Sequence, residues 1–210
     1  MLRFAFLIGG FLALAGTVST PASAQNRLDY FSVAGGVFVP HDTDGTANGV
    51  PYSVSFDANY ALTLALGLDW GGGFRSEVEL GYASAPIDSL NSGSGSVGQG
   101  DDNSFFYTLT INAFYDVPIG MAVVPYVGGG LGIARSDVPR AQGTINGVSV
   151  TAPGHEETSV MTHGEIGLAF PLSATTKLTA GYRYLVVFDG QGSNDDTTAS
   201  YFKAGLRVNF

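Results

Sequence analysis

The stretch Tyr60-Ala61-Leu62-Thr63-Leu64-Ala65-Leu66-Gly67-Leu68-Asp69-Trp70 alternates without a fault. Its even positions are large and apolar; its odd positions are small or polar. A period of two marks a β-strand, because successive side chains point to opposite faces. Gly71-Gly72-Gly73 then turns the chain tightly. The alternation resumes at once, with Phe74, Val78, Leu80 and Tyr82 on one face and Arg75, Glu77, Glu79 and Gly81 on the other. The turn should set Asp69 opposite Arg75. One hairpin therefore carries an unbroken apolar face and a face of small residues and charges.

The same rhythm extends in both directions. It predicts eight strands, at about 28–39, 54–70, 74–83, 104–117, 123–134, 158–170, 177–185 and 199–210. Short connections (71–73, 118–122, 171–176) alternate with long ones (about 40–53, 84–103, 135–157, 186–198) rich in Gly, Ser, Asn and Asp. This is an up-and-down, all-β, antiparallel order.

The two faces identify the solvent. A water-soluble barrel buries its apolar face and charges its outer one. Here the polar faces are mostly Gly, Thr, Ala and Ser, and the apolar faces are aliphatic and aromatic for about 9–11 residues, the length of a tilted membrane strand. That predicts a transmembrane barrel, apolar toward lipid, with every backbone hydrogen bond closed between strands. Aromatic residues cluster at the strand ends: Trp70, Phe74, Tyr115, Phe170 and Phe210 at the short-turn end, and Tyr60, Tyr82, Tyr107, Tyr184 and Phe202 at the other. Such girdles mark the two membrane interfaces.

Charge supports this placement. The chain of 210 residues has 18 acids, 9 bases and a net charge of −9. Acids and bases balance along the strands, so the excess acid sits in the long loops, where the only bases are Arg135 and Arg140. A charge facing mid-depth lipid costs roughly 2–4 kcal/mol, so the strand charges should point inward. Asp69, Arg75, Glu77, Glu79, His163, Glu165, Arg183, Lys203 and Arg207 are expected to form a luminal charge network. Gly35, Gly67, Gly81, Gly128, Gly130 and Gly132 would make room for these side chains.

Other features exclude function classes. The absence of cysteine excludes disulfides, thiolate metal sites and cysteine nucleophiles. The acidic balance argues against a nucleic-acid partner. His163 and Glu165 lie two apart on the inner face with no evident serine, so no catalytic residue is assigned. His41-Asp42-Thr43-Asp44-Gly45 resembles the start of a calcium loop but lacks its closing glutamate. No cofactor or metal is expected. At the N-terminus, Arg3, the apolar run Phe4–Ala15 and Ala22-Ser23-Ala24 read as a secretory signal peptide over residues 1–24. The barrel domain would then occupy 25–210.

Four segments carry a resemblance. They are Gly73-Phe74-Arg75-Ser76-Glu77-Val78-Glu79-Leu80-Gly81-Tyr82, Asn112-Ala113-Phe114-Tyr115-Asp116-Val117-Pro118, Pro125-Tyr126-Val127-Gly128-Gly129-Gly130-Leu131-Gly132, and Gly181-Tyr182-Arg183-Tyr184-Leu185 together with the ending Ala204–Phe210. In these the chain resembles the small outer-membrane β-barrel proteins of Gram-negative bacteria, the opacity-type and OmpA/OmpX-like porin-family relatives. The resemblance implies an outer-membrane location and a monomer surrounded by outer-membrane lipid and lipopolysaccharide. It also implies that Phe210 belongs to the signal read by the outer-membrane assembly machinery. The expected role is structural or surface-interactive, adhesin-like, without enzymatic activity, with acidic loops meeting a host or surface ligand. The alternative is a narrow porin-like channel for small solutes.

Overall fold

The computed structural model describes residues 28–41, 43–47, 50–56, 58–92, 95–97, 103–120, 122–138, 141–145, 148–152, 155–188 and 196–210. The leader assigned to 1–24 lies outside them, as do Asp42 of the calcium-like stretch and Arg140. The strands in chain order are β1 (Tyr30–Pro40), β2 (Thr43–Ala47), β3 (Val50–Phe56), β4 (Asn59–Gly71), β5 (Phe74–Ser92), β6 (Gly95–Val97), β7 (Asn103–Asp116), β8 (Val124–Val138), β9 (Ala141–Ile145), β10 (Val148–Ala152), β11 (His155–Pro171), β12 (Thr176–Phe188) and β13 (Thr197–Asn209).

Eight of these close a ring in the order β1-β4-β5-β7-β8-β11-β12-β13, every pair antiparallel. The closing ladder runs from Tyr30 opposite Asn209 to Pro40 opposite Ala199. Closure removes the sheet edge, so no backbone N–H or C=O row faces lipid.

The wall is inverted relative to a water-soluble protein. Along β4, Tyr60, Leu62, Leu64 and Leu66 are exposed while Ala61, Thr63, Ala65 and Gly67 are buried. Ile111 on β7 is 65% exposed, whereas Glu79 and Arg183 are only 2% and 3% exposed. Aliphatic side chains outside and charges inside make sense only if the outer solvent is hydrocarbon. The aromatic residues behave as two rims. Tyr82 packs against Tyr60, Phe105 and Tyr107 at the long-loop end. Phe74 and Tyr115 pack at 4.7 Å between ring centroids at the other end.

The short-turn end follows from its glycines. Gly71, Gly72 and Gly73 all take positive φ, at 78°, 64° and 91°, a region that L side chains rarely adopt. At Gly73 a Cβ would also strike the carbonyl oxygen of Asp116.

The long-loop end departs from expectation. Segments read as loops are largely strand: β5 continues to Ser92, β8 to Val138, and β11 begins at His155. The strand expected at 54–70 starts earlier, since β3 and β4 run end to end along β5, with a register shift at Ser55/Phe56. Hairpins β2–β3 and β9–β10 occupy much of the rest. Beyond the membrane both strand faces meet water, so the apolar/polar alternation fades while backbone pairing, which is indifferent to side chains, carries on.

Candidate functional site

The interior of an eight-stranded barrel is just wide enough to be filled by side chains. The filling is built in tiers. Nearest the short turns, Arg75 donates to Glu77 at 2.6 Å and to Asp116 at 3.0 Å. Asp116 also accepts from Arg207 at 2.9 Å. Tyr30 donates its hydroxyl to the Glu77 oxygen that Arg75 binds, at 2.9 Å. The Arg75 guanidinium lies 4.0 Å from the Phe114 ring centroid, a cation–π contact.

One step higher, Arg183 binds Glu79 at 2.5 and 3.0 Å and Glu165 at 2.7 and 2.8 Å. Lys203 adds a 2.9 Å pair to Glu165 and stands 3.8 Å from Glu79. Tyr126 donates to Glu165 at 3.0 Å. Each tier holds two cations and two anions, so each is neutral. Neutrality matters here, because an unpaired buried ion carries a penalty of several kcal/mol.

Two of these bonds cross the whole lumen. In the ring, β5 and β12 have three strands between them on either side, and so have β7 and β13. The Arg183–Glu79 and Arg207–Asp116 pairs therefore join diametrically opposite walls. A polar cavity of about 30 Å³ remains between the tiers, bordered by Arg75, Glu77, Glu79, Glu165, Lys203 and Arg207.

Arg75, Glu77, Glu79, Glu165, Arg183, Lys203 and Arg207 are thus brought together. Of the other two residues placed in this network by the sequence, Asp69 lies outside it and His163 stands beside the upper tier without a bond to it. Asp69 does stand opposite Arg75 in the ladder, but its side chain is exposed at the turn, where it accepts from the Gly71 N–H at 2.9 Å. The positive-φ turn offers that amide closer than Arg75 can reach, and Arg75 is already engaged by Glu77 and Asp116. His163 is buried on the luminal face, yet neither ring nitrogen has a hydrogen-bond partner. It sits beside Gly130, across which Asn112 is equally unpartnered.

Three of the glycines do not make the expected room for charges. On the luminal face the space above Gly67 is taken by the Tyr30 ring and that above Gly128 by the Phe114 ring, not by charges. Gly35 lies on the outer face, beneath Leu62. Asp116 is the functional residue that the sequence reading left out of the network. Its inward parity with Thr108, Thr110 and Asn112 was the available signal. Phe210 follows β13, 64% exposed, with its N–H bonded to the carbonyl of Asp29 at 3.1 Å.

Residues 10–210 match the outer membrane protein beta-barrel domain. The chain belongs to that family. The crystal structure of Neisserial surface protein A superposes with a TM-score of 0.52 at 17% identity, covering 86% of this chain and 97% of that one. The outer membrane protein OprG from Pseudomonas aeruginosa gives a TM-score of 0.52 at 13% identity, covering 88% and 97%. Such identities show a shared fold. No curated protein matches the chain. The chain is therefore an outer-membrane β-barrel protein of Gram-negative type.

Proposed function

We propose that this barrel is a non-enzymatic anchor that holds acidic surface loops outside the membrane, and that its lumen does not conduct. The observation that carries this reading is the pair of ion bridges between opposite walls, which fills the cross-section at two levels. The short turns are the periplasmic end in bacterial barrels, so the long-loop end faces the surroundings. The extended β2–β3 and β9–β10 hairpins support the reading, since they raise the loops on paired strands rather than on free chain. The acidic loops then suit a cationic host or surface ligand, while the outer face is in contact with lipid and lipopolysaccharide. Assembly through Phe210 and removal of residues 1–24 belong to the same proposal.

The test is a deletion strain complemented with the full chain or with a chain shortened at both hairpins. The full chain should restore adherence to a cationic surface, and the shortened chain should not. Uptake of small solutes should be equal in all strains. Uptake that falls on deletion and returns with the shortened chain would overturn the reading. It would favour the narrow channel instead, which the cavity between the tiers supports.

A further inference from the structure

Above Arg183 the lumen changes character. Phe38, Ala61, Ala83, Ala199 and Tyr201 form one buried apolar cluster drawn from four strands, with Phe106 and Leu185 packed on it. Met161 closes it from the β11 side, 2% exposed. These residues line much of a half-open cavity of about 70 Å³, larger than the polar one below.

Its lining is mostly apolar, with Thr63, Thr108, Thr197 and Arg183 the exceptions. Its floor is the Arg183 guanidinium, and every nitrogen of that group is bound to Glu79 or Glu165. The Tyr201 hydroxyl donates to the Ala61 carbonyl at 3.2 Å and also pairs with the Thr63 side chain. Buried polar atoms without partners do exist in this barrel, on Ser104, Thr110, Asn112, His163 and Arg207, but none of these residues lines the cavity. A buried water needs about 2–4 polar partners, and apolar cavities without them stay dry and take up apolar molecules. Space remains because the inward positions of β5 and β13 that hold Glu79 and Lys203 in the tier below carry Ala83 and Ala199 here, with Ala61 beside them on β4. A filled lumen could have used larger residues there.

We propose that this cavity is a binding site for a small uncharged apolar molecule, an arene or a short alkyl chain, seated on the ionic tier. The ligand would gain by leaving water, roughly 25 cal/mol per Å² of apolar surface removed. The ionic floor would stop it from crossing the lumen. The inference is independent of the adhesive role, since a closed anchor and a narrow channel could both hold it.

The probe is bromobenzene. Crystals of the wild type exposed to its vapour should show bromine anomalous density between Ala61, Ala83 and Met161. Ala83→Phe should remove that density, and Ala199→Leu serves as a second filling variant should the first fail to fold. In lipid nanodiscs, the ¹³C-methyl resonance of Met161 should shift saturably with bromobenzene in the wild type and not in the filled variant. Saturation separates a site from partition into lipid. Ordered water in the cavity, no bromine there, or a shift that survives filling would each overturn the proposal.

Discussion

The lower and upper halves of the lumen are built on the same strands with the same inward parity, yet they hold opposite chemistry. β5 points Arg75, Glu77 and Glu79 inward and then, two residues on from Gly81, Ala83. β12 points Arg183 inward and then Leu185. β13 reverses the order in sequence but not in space, with Ala199 and Tyr201 above Lys203 and Arg207. Alternation therefore determines which side chains face the lumen, and their position along the strand determines whether they brace the barrel or leave room in it. The lower half is a cross-braced ionic plug; the upper half is an apolar chamber.

That contrast predicts unequal responses to substitution. Arg183→Met should be the most damaging change, because it leaves Glu79 and Glu165 buried with only Lys203 between them. Removing one partner of a buried pair costs about 3–5 kcal/mol, which urea unfolding of the barrel in lipid vesicles would register. Ile111→Lys tests the outer wall at the same depth. A lysine facing mid-membrane lipid should cost about 2–4 kcal/mol in that assay. Tyr201→Phe probes the upper chamber. Losing one hydroxyl bond to the Ala61 carbonyl should cost about 1 kcal/mol, and a loss as large as that of Arg183→Met would erase the distinction between the halves. Arg135→Ala should be the mildest. Arg135 pairs with Glu156 where both are largely exposed, and such pairs contribute about 0–1 kcal/mol.

The fold was readable because lipid enforces the alternation. Leu62, Leu64 and Leu66 could not face a polar lumen, and Glu79 and Arg183 could not face hydrocarbon, so parity alone sorted them. Pairing partners were less readable. Parity shows that Asp116 points inward but not that Arg207, on the opposite wall, reaches it. Asp69 shared the parity and the register yet lay at the level of the turn, where water and the Gly71 amide are available. His163 shares the inward parity of Glu165 and lies within the field of the upper tier, but its neighbours across β8 are Asn112 and glycine, so parity does not reveal that it makes no bond there. The apolar chamber was visible in principle: Phe38, Met161, Leu185 and Tyr201 share the inward parity of the charges. Length along the strand, not face, separates them, and period-two reading discards that coordinate. Beyond the membrane the enforcing solvent is gone, so strands running through Ser92 and Val138 look like loop.

Single-channel recording decides whether the ionic plug closes the lumen. Purified barrel, shown to be folded and inserted in a planar bilayer, should give no unit conductance steps, while the Arg183→Met form should give them, because the bridge between β5 and β12 is then missing. Steady steps from the wild-type protein, absent from a boiled control and unchanged by Arg183→Met, would show that ions pass the tiers freely and that the plug does not close the barrel.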